Sequence, residues 1–231
     1  MRITIPTNLN EITLNQYLHF RKIAKEHPDN EEYLKLALVT IFCNLTIEQA
    51  RQIDIDDYND IVNQLTETLQ QKPKFVNRFT LNGVEYGFIP NLDKISAGEY
   101  IDLDTYLSDE ATYYEAMAVC YRPIEGKFSG GLYNIEKYES AEKHKQALIT
   151  MPLGIALGTL VFFSTLSRDL LAATRDYLHR KEVQILLQEL TLAKNGDGMQ
   201  ALTQSLLAAE SILSERLNST YIPSSQISST V

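Results

Sequence analysis

The side chains that could do chemistry come first. The four histidines are His19, His27, His144 and His179. None stands in an H-E-x-x-H pair or beside a cysteine pair, so no zinc site is written here. Asp54, Asp56 and Asp60 alternate like the acids of a calcium loop, yet position five is Tyr58, position six is Asn59 and position twelve is Leu65. An EF-hand needs a ligand, a glycine and a bidentate glutamate at those places. Asp102 and Asp104 fail in the same way, with Tyr106 and Leu107 at five and six. Both clusters read as acids at helix N-termini, where the macrodipole favours negative charge. Gly126 to Gly131 (GKFSGG) has the composition of a phosphate loop without the G-x-x-x-x-G-K-[ST] order. No G-x-S-x-G elbow occurs, and Asp109 and Glu110 are adjacent, so they point to different helix faces. The expectation is a non-enzymatic protein with no cofactor.

A local charge imbalance is more informative. From Gly83 to Tyr121 there are eight acids (Glu85, Asp93, Glu99, Asp102, Asp104, Asp109, Glu110 and Glu115) against one base, Lys94. The same stretch holds Tyr86, Phe88, Tyr100, Tyr106, Tyr113, Tyr114 and Tyr121. One reading is plain: acidic outer helix faces over half-buried tyrosines. The other is an acidic, tyrosine-bearing surface that docks a partner. Tyrosine offers a large contact area with few rotors to freeze and a polar tip, and an acidic face steers a basic segment toward it.

The elements that must carry these residues follow from pattern and punctuation. Residues 3–5 read as a short strand or extended arm. Thr13 with Gln16 forms a capping box for a helix with Leu14, Tyr17, Leu18, Phe20 and Ala24 on one face, and His27-Pro28 stops it. Glu31 to Cys43 is a buried central helix. Thr46 and Gln49 repeat the capping signal, and Tyr58, Ile61, Val62, Leu65 and Leu69 form a helical stripe. Phe75 to Ile89 has β-type residues on both sides of Asn82-Gly83, a dipeptide suited to a type I′ turn, which predicts a hairpin. Ser96 and Glu99 cap a helix with Tyr100, Leu103 and Leu107. The next helix carries Tyr114, Met117, Ala118 and Tyr121 and ends at Arg122-Pro123. Glu125 to Gly131 reads as a loop, and Leu132 to Ile135 as a strand returning to the hairpin. Helices are expected at about 140–149, 153–166 and 168–193.

The chain has 231 residues, 44% of them hydrophobic, and carries 30 acids against 21 Lys and Arg. That suffices for one good core. A net charge of −9 argues against a general binder of nucleic acid or anionic membrane, since both need clustered cations. Cys43 and Cys120 lie in apolar runs and read as buried free thiols, which fits a reducing cytoplasm. Leu148 to Leu166 has 19 uncharged residues and a Gly154-x-x-x-Gly158 spacing. Pro152, its hydroxyl residues and the lack of flanking aromatic or cationic anchors favour a buried helix over a membrane span. There the glycines would allow close packing.

The fold class read from this is α+β and predominantly helical: helices around a small antiparallel hairpin or sheet, with a helical C-terminal arm. The body is placed at 1–193, helical over 1–72, with the hairpin and acidic helices over 73–135 and helices again over 140–193. A C-terminal helix follows at 199–216, with Leu202, Leu206, Ala209 and Leu213 in 4-3-4 spacing, then a disordered Ser/Thr-rich tail at 217–231.

Phe79 to Tyr106 (FTLNGVEYGFIPNLDKISAGEYIDLDTY) and Met117 to Ile124 (MAVCYRPI) resemble a pattern in small, mostly uncharacterised proteins from the structural-gene module of tailed bacteriophages. Within that group the similarity is to tail assembly chaperones. The resemblance implies a binding protein of the host cytoplasm, with the virion as the alternative location. It would hold a tail component such as the tape-measure protein soluble; the alternative is a structural virion subunit at the head–tail or tail junction. It further implies a phage tail or other virion protein as partner, with homo-oligomers allowed and no nucleic acid or membrane. The matched positions it marks as interacting or architectural are Tyr86, Phe88, Ile89, Pro90, Asp93, Glu99, Tyr100, Asp102, Tyr121, Arg122 and Pro123, and Tyr106 joins them from the acidic, tyrosine-rich stretch.

Overall fold

The computed structural model describes residues 2–178. The expected C-terminal helix at 199–216 and the tail at 217–231 lie outside the described residues, as does the expected end of the body at 193. The chain divides into two units between Thr159 and Leu160.

The first unit is α+β and mostly helical. Three capping boxes stand where the sequence places them, at Thr13–Gln16, Thr46–Gln49 and Ser96–Glu99. In each, the cap hydroxyl accepts the N3 amide and the N3 side chain accepts the cap amide, which satisfies two otherwise orphan donors. Helix α1 (Leu14–Glu26) buries Leu14, Tyr17, Phe20 and Ala24 and ends at His27. Helix α2 (Glu31–Phe42) packs on α1, burying Leu34, Ala37, Leu38, Val39 and Phe42. The Thr46 box starts only a single turn, α3 (Ile47–Ala50), and the Ile61–Val62–Leu65–Leu69 stripe belongs to a separate helix, α4 (Ile55–Leu69). Residues 2–7 form no regular element. Thr68 Oγ1 donates to the Pro6 carbonyl and Gln71 Nε2 to the Thr7 carbonyl, which ties this arm to the end of α4.

Strands β1 (Arg78–Leu81), β2 (Val84–Phe88), β3 (Tyr121–Lys127) and β4 (Tyr133–Ile135) form an antiparallel sheet in the order β1-β2-β3-β4. The β1–β2 turn has φ of 51° at Asn82 and 81° at Gly83, the two positive values a type I′ turn requires. Phe79, Tyr86, Phe88 and Tyr121 share one face by register. Their rings meet at 5.1–5.6 Å between centroids, stacked for Phe79 and Tyr86 and edge-on where Phe79 and Phe88 meet Tyr121, and form the sheet's share of the core. Arg78, Gly87 and Arg122 lie on the other face, where the Tyr133 ring covers Gly87 so closely that a Cβ there would collide with it.

Helix α5 (Ala97–Leu107) packs on α6 (Tyr113–Cys120), which is buried from Glu115 onward, and α6 in turn packs on the single turn α7 (Lys145–Leu148). Helix α8 (Leu153–Leu178) starts beside α1. Leu14 N donates to Met151 O, Asn15 N to Ile149 O and Leu153 N to Ile12 O. The two glycines of the expected spacing are contact points. A Cβ on Gly154 would strike Asn10, and one on Gly158 would strike the Lys74 carbonyl. The neighbours are thus the 3-10 turn Leu9–Glu11 and the irregular segment after α4. Among the described residues, α8 is the one helix long and apolar enough to cross a membrane by length and composition. Its first turns, Leu153 to Thr159, are buried. In the second unit the described residues continue α8, with Phe162 and Phe163 in ring contact at 5.4 Å.

Further expectations are corrected. The helix expected at about 140–149 is a 3-10 turn, Ala141–Lys143, followed by the single turn α7. Tyr121 to Lys127 is strand β3, not a helix end followed by a loop. Its partner β2 lies over thirty residues upstream, and Pro123 turns its main chain toward Glu136, one residue past the end of β4, where its carbonyl accepts from Glu136 N at 2.9 Å and no β3–β4 ladder bond needs the missing N–H. The helices expected at 153–166 and from 168 are one continuous helix as far as Leu178. Asp102 and Asp104 fall in the middle and second half of α5, not at a helix N-terminus.

Candidate partner-binding surface

Helix α5 sets the geometry of the acidic, tyrosine-rich stretch. Its inner side carries Glu99, Asp102 and Leu103. Arg122 Nη2 on β3 donates to Glu99 Oε1 at 2.5 Å, and both side chains are buried. The other Glu99 oxygen accepts from Ser96 N and Oγ, both at 2.7 Å. Burial works against the Glu99 charge, but the Ser96 bonds and the Arg122 guanidinium outweigh it, so its pKa is held below the ordinary carboxylate value. The Arg122 guanidinium also lies 5.3 Å from the centroid of the Tyr138 ring. Tyr138 donates its hydroxyl to Asp102, and burial together with that carboxylate pushes the phenol pKa up. Arg122 Nε and Nη1 and Glu115 Oε2 have no hydrogen-bond partner within the described residues.

The outer side of α5 is Ala97, Tyr100, Ile101, Asp104, Thr105 and Ser108, all exposed and spaced at i, i+3, i+4, i+7, i+8 and i+11. Tyr100 is 62% exposed and Ile101 60%. Two large adjacent side chains therefore stand in solvent on a helix whose opposite side is pinned by a buried ion pair. That arrangement can bind a macromolecular surface, because it is rigid and already positioned.

The nine candidate binding residues separate on this geometry. Tyr86, Phe88, Glu99, Tyr121 and Arg122 are buried and belong to the interior, not to a surface. Tyr121 donates to Val76 O at 2.6 Å, lies 2.8 Å from Thr159 Oγ1, and burial pushes its pKa up. Asp93 and Tyr100 are exposed, and Asp102 and Tyr106 are half-buried. Of the other matched positions, Ile89 is buried, Pro90 exposed and Pro123 half-buried. The acidic field is also thinner than the sequence implies. Glu110 pairs with Arg21 and Lys25, Glu85 with Lys127, and Glu115 lies 4.0 Å from Lys145. Those cations come from segments distant in sequence, so no local count could have found them. Among the described residues no three His, Cys, Asp or Glu side chains gather into a metal-binding group.

The sequence reading missed Ile101 and a recess lined by residues of α2, α3 and α4. Its signal was present: Tyr33, Ile47 and Ile55 are large, apolar and placed off the buried stripes. Comparison with protein-family models, curated proteins and solved structures returned no match.

Proposed function

We propose that this chain is a non-enzymatic binding protein that presents the outer face of α5 to another protein. We assign it the role of an assembly factor similar to the tail assembly chaperones of tailed bacteriophages, acting in the host cytoplasm on a tail component such as a tape-measure protein. The observation that carries the reading is the exposure of Tyr100 and Ile101 side by side on a pinned helix. Such a pair stabilises little in the free protein, and covering it by a partner gives roughly 1.5–3 kcal/mol per large apolar side chain. The string from Phe79 to Tyr106, on which the phage resemblance rests, contains both residues.

The test is co-expression with the candidate tail protein. Wild type should raise the partner's soluble fraction, and the Tyr100→Ala/Ile101→Ala double variant should lose most of that effect while melting normally. A partner that folds and assembles unaided, or a double variant as effective as wild type, defeats the proposal. Mass spectrometry of purified particles supplies the second arm: stoichiometric presence there points instead to a structural virion subunit.

A further inference from the structure

A second surface lies in the helical N-terminal part, away from α5 in sequence and built from different elements. Tyr33 and Leu36 of α2, Ala50 of α3, Ile53 before α4, and Ile55 and Tyr58 at the start of α4 line a recess of about 390 Å³. Glu32 and Arg51 complete its lining. Ile55 is 70% exposed, and Ile47, on the same face of α3 as Ala50, is 47% exposed. Burial of an aliphatic side chain is favourable, so a partner that covers Ile55 gains free energy the fold itself leaves unused.

Charge settles what could cover it. From Glu31 to Asp60 there are seven acids (Glu31, Glu32, Glu48, Asp54, Asp56, Asp57 and Asp60) and two bases, Lys35 and Arg51. Lys35 already pairs with Glu31 at 2.8 Å and lies 3.8 Å from Glu32. Glu48, Asp54, Asp56, Asp57 and Asp60 are exposed and have no ion-pair partner among the described residues. Asp54 sits between two lining residues, and Asp57 beside a third. The Glu32 charge reaches the recess as well. Burial first, and then that carboxylate, pushes the Tyr58 phenol pKa up. Arg51, itself on the lining, offsets part of the Glu48 charge, which leaves the four aspartates as the carboxylates open to a partner's cations.

We infer that the recess between α2, α3 and the start of α4 binds a basic amphipathic helix of another protein, with its apolar stripe in the recess and its Lys or Arg flanks against the surrounding carboxylates. This is helix-in-groove recognition, with electrostatics supplying on-rate and orientation. A recess of this size has room for one large apolar side chain or a close pair of them. The inference does not depend on what α5 binds.

The probe is a fluorescently labelled Leu/Lys amphipathic helical peptide of about 18 residues, roughly five turns, titrated by anisotropy against the full chain. Its Leu/Glu counterpart and a scramble of the same Leu/Lys composition serve as controls. The Leu/Lys helix should bind, the scramble about tenfold or more weakly, and the Leu/Glu helix not at all. Binding should weaken with added salt. Ile55→Ser should weaken it about tenfold without changing the melting transition, because the side chain is largely exposed. Glu32→Lys should weaken it without altering the apolar lining. Ile101→Ser, on α5, should leave it unchanged, so failure here and failure of the α5 reading are separately visible. The inference is overturned if the peptide does not bind, if the scramble binds equally, or if Ile55→Ser binds like wild type. It is also overturned if sedimentation shows a second copy of the chain held there, with self-association abolished by Ile55→Ser.

Discussion

Arg122 on β3 donates to Glu99 on α5 across 2.5 Å, and the two are 23 residues apart in the chain. The same glutamate completes the capping box that starts α5. One carboxylate therefore both begins a helix and fastens it to the sheet, and the orientation of Tyr100 and Ile101 depends on it. Arg122→Ala would leave Glu99 buried without its cation. The expected loss is about 3–5 kcal/mol in urea unfolding, the range for breaking a buried pair from one side. A loss under about 1 kcal/mol would place the pair among weak surface bridges instead.

The pair also sets an acid limit. Glu99 has a folded pKa depressed below its ordinary value of 4.5. Its contribution is therefore fully present above that value and is lost as pH falls through the lower folded value. Wild-type stability should drop below about pH 4.5, and the drop should be shallower in Glu99→Gln. The measurement is the urea midpoint of both proteins across that window; parallel curves would contradict the assignment.

Two glycines in helices should respond with opposite signs. Gly158→Ala places a methyl group against the Lys74 carbonyl, and the strain of about 1–3 kcal/mol outweighs the gain in helix propensity. Gly98→Ala, in the first turn of α5, meets only the Tyr138 ring at an ordinary 3.8 Å and should stabilise by about 0.4–1 kcal/mol. Thermal melts read both.

Tyr100 and Tyr121 look alike in sequence and should behave differently. Tyr121→Phe removes a hydroxyl buried between Val76 and Thr159, for a loss of about 1–3 kcal/mol. Tyr100→Ala should change stability by under about 0.5 kcal/mol and act only on partner solubility. A Tyr121 variant is accordingly a folding probe, not a binding probe.

Cys43 and Cys120 are buried free thiols. Burial pushes the Cys43 pKa up to about 11 and that of Cys120 higher still. A thiol reagent at mildly alkaline pH should therefore label neither in the native protein and both after denaturation. Fast native labelling of either would contradict the packing.

What the sequence determined by itself is local. The three capping boxes, the His27-Pro28 stop, the α4 stripe and the Asn82-Gly83 turn depend on residues within a few positions of one another, and each stands where its pattern put it. The α+β, mostly helical class follows from them. Tertiary structure decided whatever depended on a distant partner. Tyr121 to Lys127 became a strand because β2 offered an edge. Glu99 and Arg122 went inside because each neutralises the other. Glu110 lost its free charge to Arg21 and Lys25 on α1. Charge and aromatic type are visible along a chain, but whether a carboxylate faces water or a guanidinium depends on segments that meet only once the chain is folded.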